Sequence, residues 1–132
     1  MGEDPAAATT DTVQLVVPAL PQYARVARVT GAIAARRLGF SYRRRADLRL
    51  AIDETMILLL GEEPGTGTLR IEYVLSGQDI AVEATGNAGG PRPADDPDAV
   101  ARFERIVDDL VDGYEIEVVD DRTRVVLRMD GD

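Results

Sequence analysis

One predicted helix, residues 47–61, carries the side chains that could do chemistry. It is apolar on nearly all sides, yet it has adjacent carboxylates, Asp53 and Glu54, in its middle. On a helix, neighbouring side chains lie three and four residues apart. At those spacings the neighbours of Glu54 are all apolar: Leu50, Ala51, Ile57 and Leu58. An ionised carboxylate in such surroundings is costly unless something pairs with it or uses it. Glu54 therefore either meets a partner from elsewhere in the fold or is the remnant of an active site.

Asp53 differs from Glu54 because it has a basic neighbour on its own helix. Arg49 lies one turn earlier, at the spacing that favours an ion pair. We therefore expect Asp53 to be a surface acid paired with Arg49.

The composition excludes several classes of site and partner. The 132 residues include no cysteine and no histidine, and the net charge is −9. Without these residues there is no disulfide framework, no thiolate or imidazole zinc ligand and no Ser-His-Asp or Cys-His mechanism. The negative charge argues against nucleic-acid binding, because phosphate contacts need a basic patch. It suits a basic protein partner, or it simply keeps the protein soluble.

The chain reads as one domain behind a short tail. Residues 1–12 are small, acidic and polar, and we expect a disordered tail there rather than a signal peptide. Residues 13–132 are long enough for a single domain with its own core. No apolar run approaches the roughly 18 residues of a membrane span, so we expect no membrane contact and a cytoplasmic location.

Apolar periodicity predicts the order strand, helix, helix, two strands, helix, two strands (βααββαββ). Strands are predicted at 13–17, 68–75, 79–84, 114–119 and 123–129. Helices are predicted at 21–38 and 42–60, with Ser41 as a cap, and after Asp96, which would cap the third with Pro97 in its first turn. A Gly/Pro-rich loop is predicted at 85–96. Three helices on one face of a mostly antiparallel five-stranded sheet give an α+β two-layer sandwich.

Three segments in this order and spacing carry a resemblance to a known family. They are 27–30 (Ala-Arg-Val-Thr) in the first helix, 50–54 (Leu-Ala-Ile-Asp-Glu) in the second and 106–112 (Ile-Val-Asp-Asp-Leu-Val-Asp) in the third. Together they resemble the GHKL (Bergerat, histidine-kinase-like) ATPase fold and, more narrowly, the bacterial anti-sigma-factor serine kinases, especially the actinobacterial branch. The resemblance spans about residues 13 to 129.

The resemblance implies a damaged nucleotide site. Glu54 takes the place of the glutamate that polarises the attacking hydroxyl or water in the kinases. The Mg²⁺-binding asparagine four residues later is replaced by Leu58, which cannot ligate a hard cation. Ala84 replaces the adenine-reading aspartate. Of the two glycines that follow it in the family, Gly86 remains. If the alignment is one residue out, the neighbouring Asn87 partly substitutes for the lost nucleotide contacts. The alternative for this glycine cluster is an ordinary flexible loop.

The start of the third helix also lacks the Gly-x-Gly whose amides hold phosphates in the family. Residues 101–103 (Ala-Arg-Phe) stand there instead. Phosphoryl transfer depends on positioning and charge neutralisation, so we expect ATP and Mg²⁺ to bind weakly or not at all. A catalytic role for Glu54 is the alternative to an ordinary paired carboxylate.

The resemblance also implies protein partners. In the family, an arginine of the first helix lies on the surface that binds the sigma factor and a STAS-type antagonist. Arg28 matches it, and Arg25 is the nearby candidate; the alternative is a plain surface arginine. The expected function is a transcription regulator, usually a homodimer, that sequesters a sigma factor until the antagonist competes. An active serine kinase acting on the antagonist and a fold relic that scaffolds another complex are the alternatives.

Overall fold

The computed structural model describes residues 10–60, 66–88, 92–119 and 122–131. Its helices and strands follow the predicted order. They are β1 Thr10–Pro18, α1 Ala24–Arg37, α2 Tyr42–Leu60, β2 Gly67–Ser76, β3 Asp79–Ala88, α3 Pro97–Asp108, β4 Gly113–Val119 and β5 Arg122–Met129. Single-turn 3-10 helices, Pro21–Tyr23 and Pro93–Asp95, precede α1 and α3.

The five strands form one antiparallel sheet in the order β1-β2-β3-β5-β4. One apolar row crosses every strand in register: Leu15, Ile71, Ala84, Val125 and Ile116. Because side chains alternate between the two faces of a strand, this row and its parallels cover the face that packs on the helices. The arrangement is an α+β architecture compatible with a two-layer sandwich, as the alternation in the sequence predicted.

Helix α1 buries its small residues rather than its large ones. Ala27, Gly31, Ala34 and Ala35 are buried, whereas Val29 and Ile33 are 39% and 58% exposed. A Cβ added at Gly31 would overlap the Cδ1 atom of Ile52 on α2. Close approach of the two backbones therefore decides which face is buried, and the apolar spacing that correctly predicted a helix does not mark its inner face.

Tyr73 of β2 connects the sheet to α1 through a hydrogen bond. Its side chain is fully buried in β2, and its hydroxyl donates to the main-chain carbonyl of Ala27 at 2.6 Å. Burial raises the pKa of the Tyr73 phenol well above its usual range. The hydroxyl is thus a permanent donor that fixes the height of α1 over the sheet.

The predicted caps of α2 and α3 are confirmed. The Ser41 hydroxyl accepts the backbone N–H of Arg44 at 3.2 Å, and the Asp96 carboxylate accepts that of Asp98 at 3.0 Å. Each cap satisfies a helix-end donor that has no partner within the helix. No helix in the described ranges is both long and apolar enough to cross a membrane.

Two predicted boundaries are corrected. Strand β1 begins at Thr10 and pairs with β2 from there, so residues 10–12 belong to the sheet and not to the tail; residues 1–9 lie outside the described ranges. Strand β3 continues to Ala88, so Gly86 and Asn87 are strand residues and not part of a loop. In both places an antiparallel neighbour supplies hydrogen-bond partners, and that pairing overrides weak local strand propensity.

Candidate functional site

The residues singled out on α2 lie where that helix meets α3 and the turn before it. Glu54 and Leu58 from α2 line a small cavity together with Arg102 and Phe103 from α3, and Pro93 closes one side. The cap at Asp96 starts α3 just after the Pro93–Asp95 turn. Because α3 begins there, its first turns lie against the middle of α2.

Glu54 has a partner from elsewhere in the fold. Nη1 of Arg102 donates to its Oε1 at 2.7 Å, and the Glu54 side chain is only 15% exposed. A charged hydrogen bond of this length neutralises a carboxylate that its helical neighbours leave unsupported. Arg102 comes from the segment 101–103, where the family resemblance placed a phosphate-binding Gly-x-Gly. Arg102, which departs from the family pattern, is therefore the residue that pairs with the Glu54 carboxylate.

The described residues around Glu54 do not fit a magnesium nucleotide. Leu58, at the position of the expected metal ligand, is buried and offers no oxygen donor. The cavity measures about 30 Å³, room for about one water, whereas ligand pockets span about 300–1,000 Å³. Among the residues that the structure describes, no group of three or more acidic side chains could hold a metal ion without further ligands. We therefore derive no reaction step through a nucleotide.

Gly86 lies in strand β3 and has ordinary surroundings among the described residues. A Cβ added there would lie 3.7 Å from Arg92 and from Leu59, which is ordinary contact, and its backbone is not left-handed. Asn87 follows it in the ladder, opposite Thr68 of β2. The described protein atoms therefore leave room for a small side chain at position 86.

A buried hydroxyl that sequence reasoning missed lies beside Gly86. Thr123 of β5 pairs in register with Gly86, is 1% exposed, and its Oγ1 has no hydrogen-bond partner in the described part of the chain. Leaving such a group unpaired costs about 1–3 kcal/mol. A threonine in a strand gives no signal of this kind, because its branched side chain is common there. A ligand bound beside Gly86 could supply a hydrogen-bond partner for this hydroxyl.

The adjacent carboxylates Asp53 and Glu54 of α2 pair with arginines of different helices. Oδ1 of Asp53 accepts from Nη1 of Arg28 on α1 at 2.9 Å. The predicted pair of Asp53 with Arg49 is therefore wrong: close packing of α1 on α2 brings Arg28 within reach. Arg25 lies exposed one turn before Arg28, without an ion-pair partner among the described residues.

Comparison with known proteins gives a partial similarity. No known protein-family profile matches the chain. A segment of 46 residues is 44% identical to "Serine-protein kinase RsbW" of Oceanobacillus iheyensis. The match covers 35% of this chain and 29% of that protein, so it spans less than a third of the relative's length.

Proposed function

We propose that this protein is an anti-sigma-factor-type regulator with a GHKL-like fold and a degenerate nucleotide site. It acts by binding and sequestering a sigma factor, and an antagonist protein of the STAS type releases that partner. The partial similarity to a serine-protein kinase supports a link with the anti-sigma kinases. The element order βααββαββ and the three motif segments point the same way.

The observation that carries a binding role rather than a catalytic one is the Glu54–Arg102 pair. A general base must be free to accept a proton at a reacting group. Here Nη1 of Arg102 donates to the Glu54 carboxylate at 2.7 Å, and Leu58, one turn later, is buried. Phosphoryl transfer needs neutralised phosphates and a positioned nucleophile, and the described residues supply neither. Glu54 then serves as the anchor of α3.

Helix α1 supplies the partner surface in this proposal. Arg25 is exposed, and Arg28 is one-third exposed beside Asp53. Arginine is over-represented among the few residues that dominate binding energy at interfaces. The sigma factor, the antagonist and homodimerisation enter from the family resemblance.

Co-purification from the native host tests the proposal. Tagged wild-type protein is expected to retain a sigma factor that mass spectrometry identifies, and Arg25→Glu is expected to lose it. Arg105→Glu is the matched control, because Arg105 is an exposed arginine on α3. Retention of no sigma factor by the wild type, or its equal retention by Arg25→Glu, would contradict the proposed role of α1.

An active serine kinase is the second candidate. Two observations favour it: the name of the similar protein, and the unpaired Thr123 hydroxyl beside Gly86. A ligand at a hundred times its Kd stabilises the native state by about 2.7 kcal/mol, which raises the Tm by roughly 10 °C for a domain of this size. The binding proposal predicts no such rise with millimolar Mg-ATP.

Thr123→Val sharpens the nucleotide test. Valine matches the shape of threonine without its hydroxyl, so an empty site predicts unchanged or higher stability and the same absent response to Mg-ATP. A rise of several degrees in the wild type that Thr123→Val abolishes would establish the kinase-type site instead.

A further inference from the structure

The seam between α1 and α2 exposes apolar side chains on its outer surface. Two adjoining cavities, about 320 Å³ and 280 Å³, run along it and share Ala46 and Arg49 in their walls. We call them together the seam groove. Its apolar lining includes Ile33 of α1, 58% exposed, and Tyr42 and Leu50 of α2, 77% and 55% exposed. Large apolar groups gathered in one exposed groove mark an interaction surface more often than scattered ones do.

Arginines border the seam groove in a protein that is otherwise acidic. Arg36, Arg45 and Arg49 line the larger cavity, and Arg45 lies over the Tyr42 ring at 5.9 Å. None of the three has a carboxylate partner in the described ranges. The only carboxylate in the lining is Asp53, which Arg28 already holds. The groove is thus a local positive site on a chain of net charge −9.

We propose that the seam groove binds an amphipathic helix of a partner protein whose apolar stripe is flanked by acidic residues. Grooves between two helices accept a third helix through apolar anchors at i, i+3 or i+4, and i+7. From Arg28 to Arg36 the groove wall rises about 12 Å at 1.5 Å per residue, which matches slightly more than two turns of such a ligand. The unpaired arginines would meet its carboxylates at the rim.

A second copy of this chain docking through the same face is disfavoured by charge. A two-fold contact places the same patch on both subunits. The arginines of one groove would then face those of the other as water is excluded, and like charges brought together at an interface oppose association. Acidic residues on a different protein remove this repulsion and add attraction.

This inference rests on the proposed function, because it supplies the chemistry of the partner's contact segment. It widens the partner surface from α1 alone to the seam with α2. The experiment below uses no sigma factor, so its failure and a failed co-purification are separate results.

The test is a titration of the whole ¹⁵N-labelled protein with two designed peptides. Both are about 18 residues long, enough to form a helix, and carry leucine at i, i+3, i+4 and i+7. One has glutamate beside the leucine stripe and the other has lysine. The glutamate peptide is expected to shift amides of residues 28–49 and to bind roughly tenfold or more tightly than the lysine peptide. Its affinity is expected to fall as salt rises from about 0.05 M to about 0.5 M.

Variants locate the contact. The double variant Arg45→Glu/Arg49→Glu and the single variant Ile33→Asp are expected to weaken the glutamate peptide roughly tenfold or more. Arg105→Glu is the matched control and is expected to bind as the wild type does. Circular dichroism checks that each variant is folded.

Three results would overturn the inference. Equal affinity for the two peptides would remove the charge argument, and amide shifts confined to the sheet or to α3 would place the contact elsewhere. A dimer in sedimentation velocity that Ile33→Asp dissociates would assign the groove to a second copy of the chain.

Discussion

Replacing Gly31 by alanine tests the packing that decides which face of α1 is exposed. A Cβ at this position overlaps Cδ1 of Ile52, whose side chain is completely buried and has little room to turn. Overpacking a buried site costs about 1–3 kcal/mol, and alanine regains about 1 kcal/mol as the better helix former. We therefore expect Gly31→Ala to lower the free energy of unfolding by about 1 kcal/mol.

The double variant with Ile52→Val makes the prediction sharp. Valine lacks the Cδ1 methyl that the new Cβ strikes, and alone it costs about 0.5–1.5 kcal/mol. If the two changes were independent, their losses would add to about 2 kcal/mol within a few tenths. In the structure the alanine methyl takes the space of the lost methyl, so the double variant is expected near wild-type stability. The stabilising coupling is then about 1–2 kcal/mol.

Urea denaturation with a shared m-value measures the free energy of unfolding of the wild type, the two single variants and the double variant. Gly39→Ala combined with Ile52→Val is the matched control. A Cβ at Gly39 meets nothing within 4 Å, and its cost comes from a backbone φ of 84°. The stability losses of Gly39→Ala and Ile52→Val are therefore expected to add. Additive losses for Gly31→Ala with Ile52→Val would refute the close packing of α1 on α2 and the exposed face derived from it.

Three further predictions address the sheet. Tyr73→Phe removes the hydrogen bond to Ala27 and is expected to lower the free energy of unfolding in urea by about 1 kcal/mol. Arg124 holds the pKa of the Glu83 carboxyl below its ordinary value of 4.5. The ion pair therefore stabilises the fold above pH 4.5 and is lost as the pH falls through the lower folded value. The stability gap between wild type and Glu83→Gln is expected to close on acidification, and urea curves across pH measure it. Gly86→Ala is expected to change the Tm little, because its Cβ meets only ordinary contacts.

Local chemistry accounts for the parts of the fold that the sequence predicted. The alternation of residues 69–75 predicts the buried side of β2, and the Asp96-Pro97 pair predicts the start of α3. Such signals work because period and cap chemistry depend on a few neighbouring residues. The same signals fail at Gly86, where the neighbouring strand supplies the pairing.

Pairings between distant residues were the part that the sequence could not predict. Arg49 and Arg28 are both plausible partners for Asp53, and helical spacing favours Arg49. The choice of Arg28 depends on how closely α1 approaches α2, which no local pattern encodes. Likewise, a partner from elsewhere in the fold was one of the two alternatives for Glu54, and its identity as Arg102 depends on where α3 docks.

The exchange of partners at Asp53 links the packing of α1 to the proposed interface. Because Arg28 takes Asp53, Arg49 is left to line the seam groove without an ion pair among the described residues. Both members of the Arg28–Asp53 pair are about one-third exposed, and such pairs contribute only about 0–1 kcal/mol. A partner carboxylate could therefore displace Asp53 at small cost. The ion pair keeps the Arg28 guanidinium in place beside the groove and still leaves it able to bind a partner carboxylate. The small buried residues of α1 that allow its close approach to α2 therefore also shape the surface that a partner would meet.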